Sequence, residues 1–458
     1  MTSVTQPWIA TGVAEAPDLR DAPQWQPRID DPRARPAIPM EDHLVQATPK
    51  PWQAWVLSIL VALMPLSFSI DLRLKAVPTG LLFLTGLALF AGSARTRRAF
   101  RAAWLPVAAA LLMTGFVIVN VLVHQLGWRP VDRPGHILLF LATAACFSLP
   151  LRMRLVWSGF SLTAIALGAA GIVQYHVLGI DRAYGLNGGA SASIELATIL
   201  LGLSAVALVQ FLSHASRRWE KLLHVVAMAF GMYGALLTQS RGPLLAFAPI
   251  FVLLVLLHAR RTGRWRSSLL LAGAVCVIAG VATFSMRHEM VSRFEAIAPE
   301  VTSFDHRHDA TGAVRERLEM WRTAGRAFVT HPVAGIGIGE FANYTQQEIA
   351  AGRSNQIIGR YNQPHNEYLE AAATGGIPGL LVLLSVFLVP LWYFSRHVLD
   401  PDGDIAMAAS IGVAVIGLYM LCALTDSVFY RMMTQSFYFF LVLGLALRIG
   451  SLSRPDKG

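Results

Sequence analysis

The stretch GRYNQPHNEYLE, residues 359–370, crowds Tyr361, Asn362, Gln363, His365, Asn366, Glu367 and Tyr368 together just before a long apolar run. Histidine is the side chain that most readily exchanges a proton near neutral pH, so it is the first candidate for acid–base work. Pro364 suits a first helical position, and HNEYLEAAA continues as helix until Gly375 and Gly376. This reading puts His365 in the first turn. The partial positive charge there disfavours imidazolium and leaves a ring nitrogen free to take a proton. Asn366, Glu367 and Tyr368 support it from the same turn, and Tyr368 and Leu369 anchor the short helix. A lone histidine is also a common structural residue, and both readings stay open on the residues alone.

Three arginines are placed where an anion could meet that histidine. Arg241, in LLTQSRGPLLAF, occupies a very short turn between two apolar runs, its backbone restrained by Gly242 and Pro243. Arg182, in DRAYGLNGGASASIELATIL, precedes a glycine-rich loop. Arg317, in AVRERLEMWRTAGRAFVT, flanks an apolar stripe of Val314, Leu318, Trp321 and Phe328 at helical spacing. An arginine on a packed flank needs an anionic partner, either an acid of the same loop or a substrate. Arg315, Arg322 and Arg326 fall on a different stripe and read as a solvated or interfacial face. Snorkelling to the membrane surface also accounts for Arg182 and Arg241. The planar guanidinium fork matches phosphate, so arginines and a neutral histidine facing one compartment describe a reaction: a phosphate leaves as a hydroxyl loses its proton and attacks.

The elements that must position these groups are membrane helices. The chain of 458 residues is 54% hydrophobic and 14% charged, against about 25% charged in soluble domains. Runs near 54–70, 76–92, 103–123, 135–150, 155–179, 193–213, 221–238, 243–258, 267–285, 377–394, 405–424 and 433–449 predict about twelve transmembrane helices. The fold expected is therefore all-α and polytopic, with one large loop at 286–376 containing short helices. Spans one to nine occupy 53–285, and the last three occupy 377–449. Residues 1–52 read as a disordered tail without signal-peptide features, and 450–458 as a short second tail. Basic residues concentrate in one set of loops: Arg95, Arg97, Arg98 and Arg101; Arg152 and Arg154; Arg217, Arg218 and Lys221; Arg260, Arg261, Arg264 and Arg266; Arg396; and Arg448, Arg454 and Lys457. The opposite loops hold fewer, Arg73, Lys75, Arg129, Arg133, Arg182, Arg241 and Arg431 among them. The positive-inside rule then makes both termini cytoplasmic and the 286–376 loop periplasmic.

Other chemistries find little support. The net charge of +10 is spread over short loops, which argues against nucleic acid. Cys146, Cys276 and Cys422 lie in apolar runs with no metal or disulfide spacing. The glycines of HPVAGIGIGEF follow a helix rather than a strand and read as a turn, not a nucleotide loop. His306 and His308 fit a solvated loop better than a metal site. Asp400 to Asp404 lie on the side away from the histidine.

SRG at 240–242, RLEMW at 317–321, HPVAGIGIGEF at 331–341 and HNEYLEAAATGGIPGLL at 365–381 resemble the O-antigen ligase and polymerase superfamily, with RAYGLNGG at 182–189 a looser match. The resemblance spans roughly residues 180–385 with the motifs in order, and it implies a GT-C-like membrane glycosyltransferase. It implies transfer of a glycan from undecaprenyl diphosphate to a hydroxyl at the periplasmic face of the bacterial inner membrane. In the ligases that acceptor is lipid A–core, and lipopolysaccharide is completed. Neither metal nor nucleotide is expected as cofactor. The family's histidine matches His365; its arginines match Arg241 and Arg317, and less closely Arg182. The resemblance leaves an O-antigen polymerase and a protein oligosaccharyltransferase as relatives of the ligase reading. A lipid-linked glycan transporter or flippase is the alternative of another class, against which the near absence of charge inside the spans counts.

Overall fold

The structure, a computed structural model, describes residues 51–70, 76–186, 192–213, 216–266, 297–305 and 310–453, with 273 and 295 between them. The predicted tails, the run at 267–285, His306, His308 and Cys276 lie outside the described residues, wholly or nearly so for the tails. Backbone polar groups in lipid must be paired within their own segment, so apolar runs of this length become helices. The described helices are α1 (Pro51–Ser69), α2 (Ala76–Gly92), α3 (Ala94–Ala102), α4 (Trp104–Val123), α5 (Asp132–Ala144), α6 (Met153–Ile172), α7 (Ser193–Leu212), α8 (Arg218–Leu237), α9 (Arg241–Thr262), α10 (Ile297–Thr302), α11 (Ala313–Thr330), α12 (Phe341–Ala350), α13 (Glu367–Ser395), α14 (Gly403–Cys422) and α15 (Met432–Leu452).

The protein is an all-α polytopic membrane protein. Among the described residues nine helices are long and apolar enough to cross a membrane, or ten if α2 and α3, bent by 96° at their junction, form one span. The run expected as a span at 135–150 is shorter than that. It forms the 13-residue α5 and a 3-10 turn at Ala145–Ser148, packed between α2 and α15. Proline, glycine and charge near its start shorten the helix below the roughly 20 residues that a span needs. Helices α7 and α15 are almost wholly surrounded by protein. Small residues let helices approach: the Cα of Gly168 on α6 would be 2.8 Å from a Cβ at Gly234 on α8.

Contacts sort the helix ends into two groups. At one end Thr96 bonds Ser148 at 2.8 Å, the Arg152 amide donates to Ser58 Oγ, and Arg448 donates to the Leu149 carbonyl at 3.1 Å. These lie among the basic loops. At the other end the turns carrying Arg182, Arg241, His365 and the α14–α15 connection meet.

The long helix α13 is broken. Gly376 has φ 64° and ψ −158°, a conformation essentially restricted to glycine. The break was expected from the Gly-Gly-Ile-Pro-Gly run, and the glycine-rich turn before it supplies its missing partners. Ile336 and Gly337 amides donate to the Ala373 and Thr374 carbonyls at 2.9 and 3.0 Å, and the Ile377 amide donates to Pro332 O at 2.8 Å. Gly335, Gly337 and Gly339 all take positive φ to make that turn. Asn120 of α4, buried, ties the assembly to the bundle: its amide donates to Ala334 O, and its carbonyl accepts from the Ile338 amide at 2.9 Å.

The arginine stripe on α11 is not a solvated face. Arg322 pairs with Glu319 at 2.7 Å and reaches the Arg353 carbonyl, while Arg326 pairs with Glu348 at 3.3 Å. Arg353 also binds Glu348, and Arg360 binds Glu316 at 2.7 Å. Acids brought in by the fold convert the stripe into a seam between α11, α12 and the chain up to Tyr361. The hydrogen bond from Arg353 is the main force holding the Glu348 carboxyl below the usual carboxylate range, against the opposing effect of burial. Burial pushes Glu316 up, but hydrogen bonds from Tyr361 and Arg360 outweigh it and its carboxyl also ends below the usual range.

Two outcomes are expected. Gly376→Ala should lower the thermal midpoint in detergent, because an alanine there adds about 1–3 kcal/mol of backbone strain and its Cβ would lie 2.6 Å from the Pro332 carbonyl oxygen; an unchanged midpoint would contradict the break. Carboxyls with depressed folded-state pKa stabilise fully above their unfolded value and lose that contribution as pH falls through the folded value. Amide exchange across 313–361 should therefore accelerate selectively below about pH 4.3. Glu348→Gln should already show part of that acceleration at neutral pH.

Candidate active site

The site is built where four turns converge at one end of the bundle. The first precedes α13. Asn366, not Pro364, starts the helix: its side chain accepts from the Leu369 amide at 3.0 Å as an N-cap. His365 therefore stands just outside the helix, at φ 50°, rather than in its first turn. A non-glycine residue in the left-handed region is uncommon and persists only where its neighbours hold it. They do so from both sides. Trp321 of α11 donates to the Pro364 carbonyl at 3.0 Å. Asn366 Nδ2 donates to Leu424 O, the Glu367 amide to Ala423 O at 2.9 Å, and Tyr368 OH to Met420 O at 3.0 Å. Glu367 in turn accepts from the Phe429 amide at 2.9 Å. Asn366, Glu367 and Tyr368 thus clamp the histidine's backbone onto the end of α14.

The clamp presents the His365 ring to Asp426. Nδ1 lies 2.8 Å from Asp426 Oδ1. An ionised carboxylate can only accept, so Nδ1 carries the hydrogen of this bond and Nε2 of the neutral ring is left with its lone pair. This carboxylate, and not a helix start, sets the tautomer. The Tyr361 ring meets the imidazole edge-on at 5.6 Å between centroids, and Tyr361 OH donates to Glu316. Burial chiefly, and then Glu316, pushes the Tyr361 phenol up. Tyr361 accordingly stays neutral and fixes one side of the ring.

The arginine turns close on the same place. Arg182 Nε donates to the Thr238 carbonyl at 3.0 Å and its Nη2 to Ser240 Oγ at 3.3 Å. Gln239, at φ 54°, donates to Asp181 O at 2.7 Å, and the Ala183 amide donates to Leu237 O. Gln174 secures the Arg182 loop from below, its carbonyl accepting from the Tyr184 and Gly185 amides. Arg241 is the first residue of α9 after Ser240, half-buried. The next residue, Gly242, has no room for a Cβ because Thr425 packs against it. Thr425 is the neighbour of Asp426, so the Arg182–Arg241 turns rest directly on the carboxylate turn that orients His365. Arg431, at the start of α15, pairs with the buried Glu195 of α7 at 3.4 Å on the same side.

Arg317 lies one helical turn before Trp321 and so on the face of α11 that meets the Pro364–His365 segment. It is half-buried and makes no hydrogen bond or ion pair among the described residues. The salt bridge that would have explained it within the loop is absent among those residues. Asp426 does not stand out along the chain because 61 positions separate it from His365. Its signal was an aspartate, in ALTDSVFY, at the very end of an apolar run, where an ionisable group is costly and needs a reason. Among the described residues no three His, Cys, Asp or Glu side chains are grouped to hold a metal ion.

An uncharacterized protein of Haemophilus influenzae is 18% identical over 325 residues, which cover 70% of this chain and 80% of that protein. Residues 225–384 match the family model described as O-antigen ligase, a segment that includes Arg241, Arg317 and His365 and leaves Arg182 and Asp426 outside. With its motif residues gathered at one end of a helical membrane bundle, the chain is similar over residues 225–384 to the O-antigen ligase family.

Proposed function

We propose that the protein is a membrane glycosyltransferase of the ligase type, moving an O-antigen glycan from undecaprenyl diphosphate to lipid A–core at the periplasmic face of the inner membrane. The observation that carries the reading is the His365–Asp426 pair at 2.8 Å, with the turn bearing Arg241 packed on the neighbouring Thr425. A base with a defined free nitrogen beside cations is what a hydroxyl attacking a diphosphate-activated sugar requires.

In the proposed step the acceptor hydroxyl oxygen forms a bond to the anomeric carbon as that carbon's bond to the diphosphate oxygen breaks. The bonding pair leaves with the diphosphate, whose growing charge Arg241, Arg317 and Arg182 stabilise. The hydroxyl proton passes to His365 Nε2, and Asp426 steadies the imidazolium through Nδ1. Asp426 is a positioning residue here, acting through the histidine. Displacement in a single in-line step inverts the anomeric configuration. The large loop ending in a preformed histidine also distinguishes this arrangement from a transporter, whose polar groups would be expected at mid-span positions.

The test is transfer by the purified protein in detergent, with undecaprenyl diphosphate-linked glycan as donor. Lipid A–core, a second lipid-linked glycan and a protein are offered as separate acceptors. A product on lipid A–core with inverted linkage is expected; exclusive extension of the lipid-linked glycan would make the protein a polymerase, and transfer only to protein would make it an oligosaccharyltransferase. His365→Ala should lower kcat by about 10²–10⁴-fold, and normal transfer by this variant would remove the base from the mechanism. Asp426→Asn should lower kcat and change the pH profile of the reaction while donor KM stays near wild type. Arg241→Ala should cost about 10²–10³-fold, seen mainly in donor use. Donor kinetics unchanged in both Arg241→Ala and Arg317→Ala would withdraw the diphosphate role.

A further inference from the structure

At the end of α11 the consecutive residues Val329, Thr330, His331, Pro332 and Val333 are all exposed. Val329 and Val333 are 76% and 74% exposed, more than any other large hydrophobic side chain among the described residues. They do not stand alone. The chain that follows them is bonded to two membrane spans, and the adjoining parts of both spans expose apolar side chains too: Val119, Leu122 and Val123 on α4, Ile377 and Leu381 on α13. An apolar patch of this extent marks a contact surface.

The two spans fix the level of this turn against the bilayer. Helix α4, Trp104–Val123, rises about 30 Å at about 1.5 Å per residue, the thickness of the hydrocarbon layer. Asn120 and His124 at its far end both reach the Ala334 carbonyl, at 3.2 and 3.1 Å. Beyond the break at Gly376, residues 377–395 of α13 rise about 28 Å, so that stretch is needed in full to cross. At its opposite end Arg396 lies over the Trp392 ring, a pairing suited to the membrane–water interface. Its first residue, Ile377, donates to the Pro332 carbonyl at 2.8 Å. Each span thus independently sets the turn at the edge of the hydrocarbon, and Val333 lies between Pro332 and Ala334. The turn is prepared for that position. The His331 carbonyl accepts from the Gly335 amide at 3.0 Å, and Thr330 Oγ1 donates to the Arg326 carbonyl at 2.9 Å. With the Pro332 and Ala334 carbonyls also bonded, these groups need no water.

We infer that Val329 and Val333 form a lipid anchor: their side chains enter the acyl-chain boundary of the leaflet on the His365 side and hold α11 against the bilayer. The occupant of this face is the lipid of the host membrane, because the face continues the lipid-facing surfaces of α4 and α13. From the anchor, α11 leads back to Trp321, whose ring nitrogen holds the Pro364 carbonyl. The anchor thereby sets the height of His365 relative to the hydrocarbon. The use of that height for a lipid-linked substrate rests on the transferase reading; the anchor itself rests on the spans.

Spin labels test it without relying on turnover. The full chain, with Cys146, Cys276 and Cys422 replaced by alanine, is labelled singly at Val333→Cys, at Leu381→Cys in the span, or at Gln347→Cys on the exposed side of α12. In vesicles of phosphatidylethanolamine and phosphatidylglycerol, collision with oxygen reports lipid and collision with a water-soluble nickel chelate reports water. The oxygen-to-nickel ratio at 333 should exceed that at 347 by at least about tenfold and approach that at 381. A ratio at 333 equal to that at 347 would put the turn in water and overturn the proposal. Exclusion of both reagents would mean that protein covers the turn, a second copy if spin–spin broadening accompanies it, and would overturn it as well. In Val329→Ser/Val333→Ser, amide exchange at Ile336, Gly337 and Ile377 should accelerate at least about tenfold in the same vesicles, while α14 stays within about twofold of wild type. Unchanged exchange at those three amides would show that the valines hold nothing. Lipid contact at 333 in a protein that transfers no glycan would defeat the proposed function and leave the anchor standing. Glycan transfer by a protein whose residue 333 reports water would do the reverse.

Discussion

The break in α13 at Gly376 governs the rest of the structure. A helix interrupted at membrane depth exposes amides and carbonyls that lipid cannot pair, and the interruption survives only because protein pairs them. Here the partners come from Pro332, Ile336 and Gly337, with Asn120 of α4 bonded to both the turn and the Thr374 carbonyl. The satisfied break frees residues 367–375 from the direction of the span below. Their first turn can then be clamped on the end of α14, which sets His365 in a left-handed conformation opposite Asp426.

Charge follows the same logic of position. Several acids are committed to structure: Glu319, Glu348 and Glu316 hold Arg322, Arg326, Arg353 and Arg360 in one seam, and Glu195 holds Arg431. Arg182 and Arg241 are placed by neutral groups and backbone, in turns knit together by Gln174, Gln239 and Ser240. Arg317 and Arg129 have no ion pair among the described residues. The result is a framework in which Arg322, Arg326, Arg353, Arg360 and Arg431 are held by carboxylates, while the turn carrying Arg241 packs on Thr425 beside Asp426.

Much of this was legible along the chain. Apolar runs marked the helices because hydropathy over about 20 residues is a local property; α4, α7 and α14 begin within two residues of the predicted starts. The run at 135–150 misled because its apolar character outlasts its helix, which α2 and α15 cover instead of lipid. His365 and the arginines stood out because polar residues of those types are conspicuous beside oil. The α11 stripe was misjudged for the opposite reason: Glu348, Arg353 and Arg360 reach it from elsewhere in the chain, and periodicity within one helix carries no information about its neighbours.

The sequence by itself determined the helical membrane architecture, the broken helix with its glycine turn, and the residue types available for handling phosphate and a proton. Only the tertiary structure decided which of them meet. Asp426 comes to His365 across 61 positions of sequence, and Thr425 comes to Gly242 from still farther away. The physical reason is that backbone pairing and hydrophobicity act over one turn or one span and are written locally, whereas a hydrogen bond between side chains depends on where packed helices end.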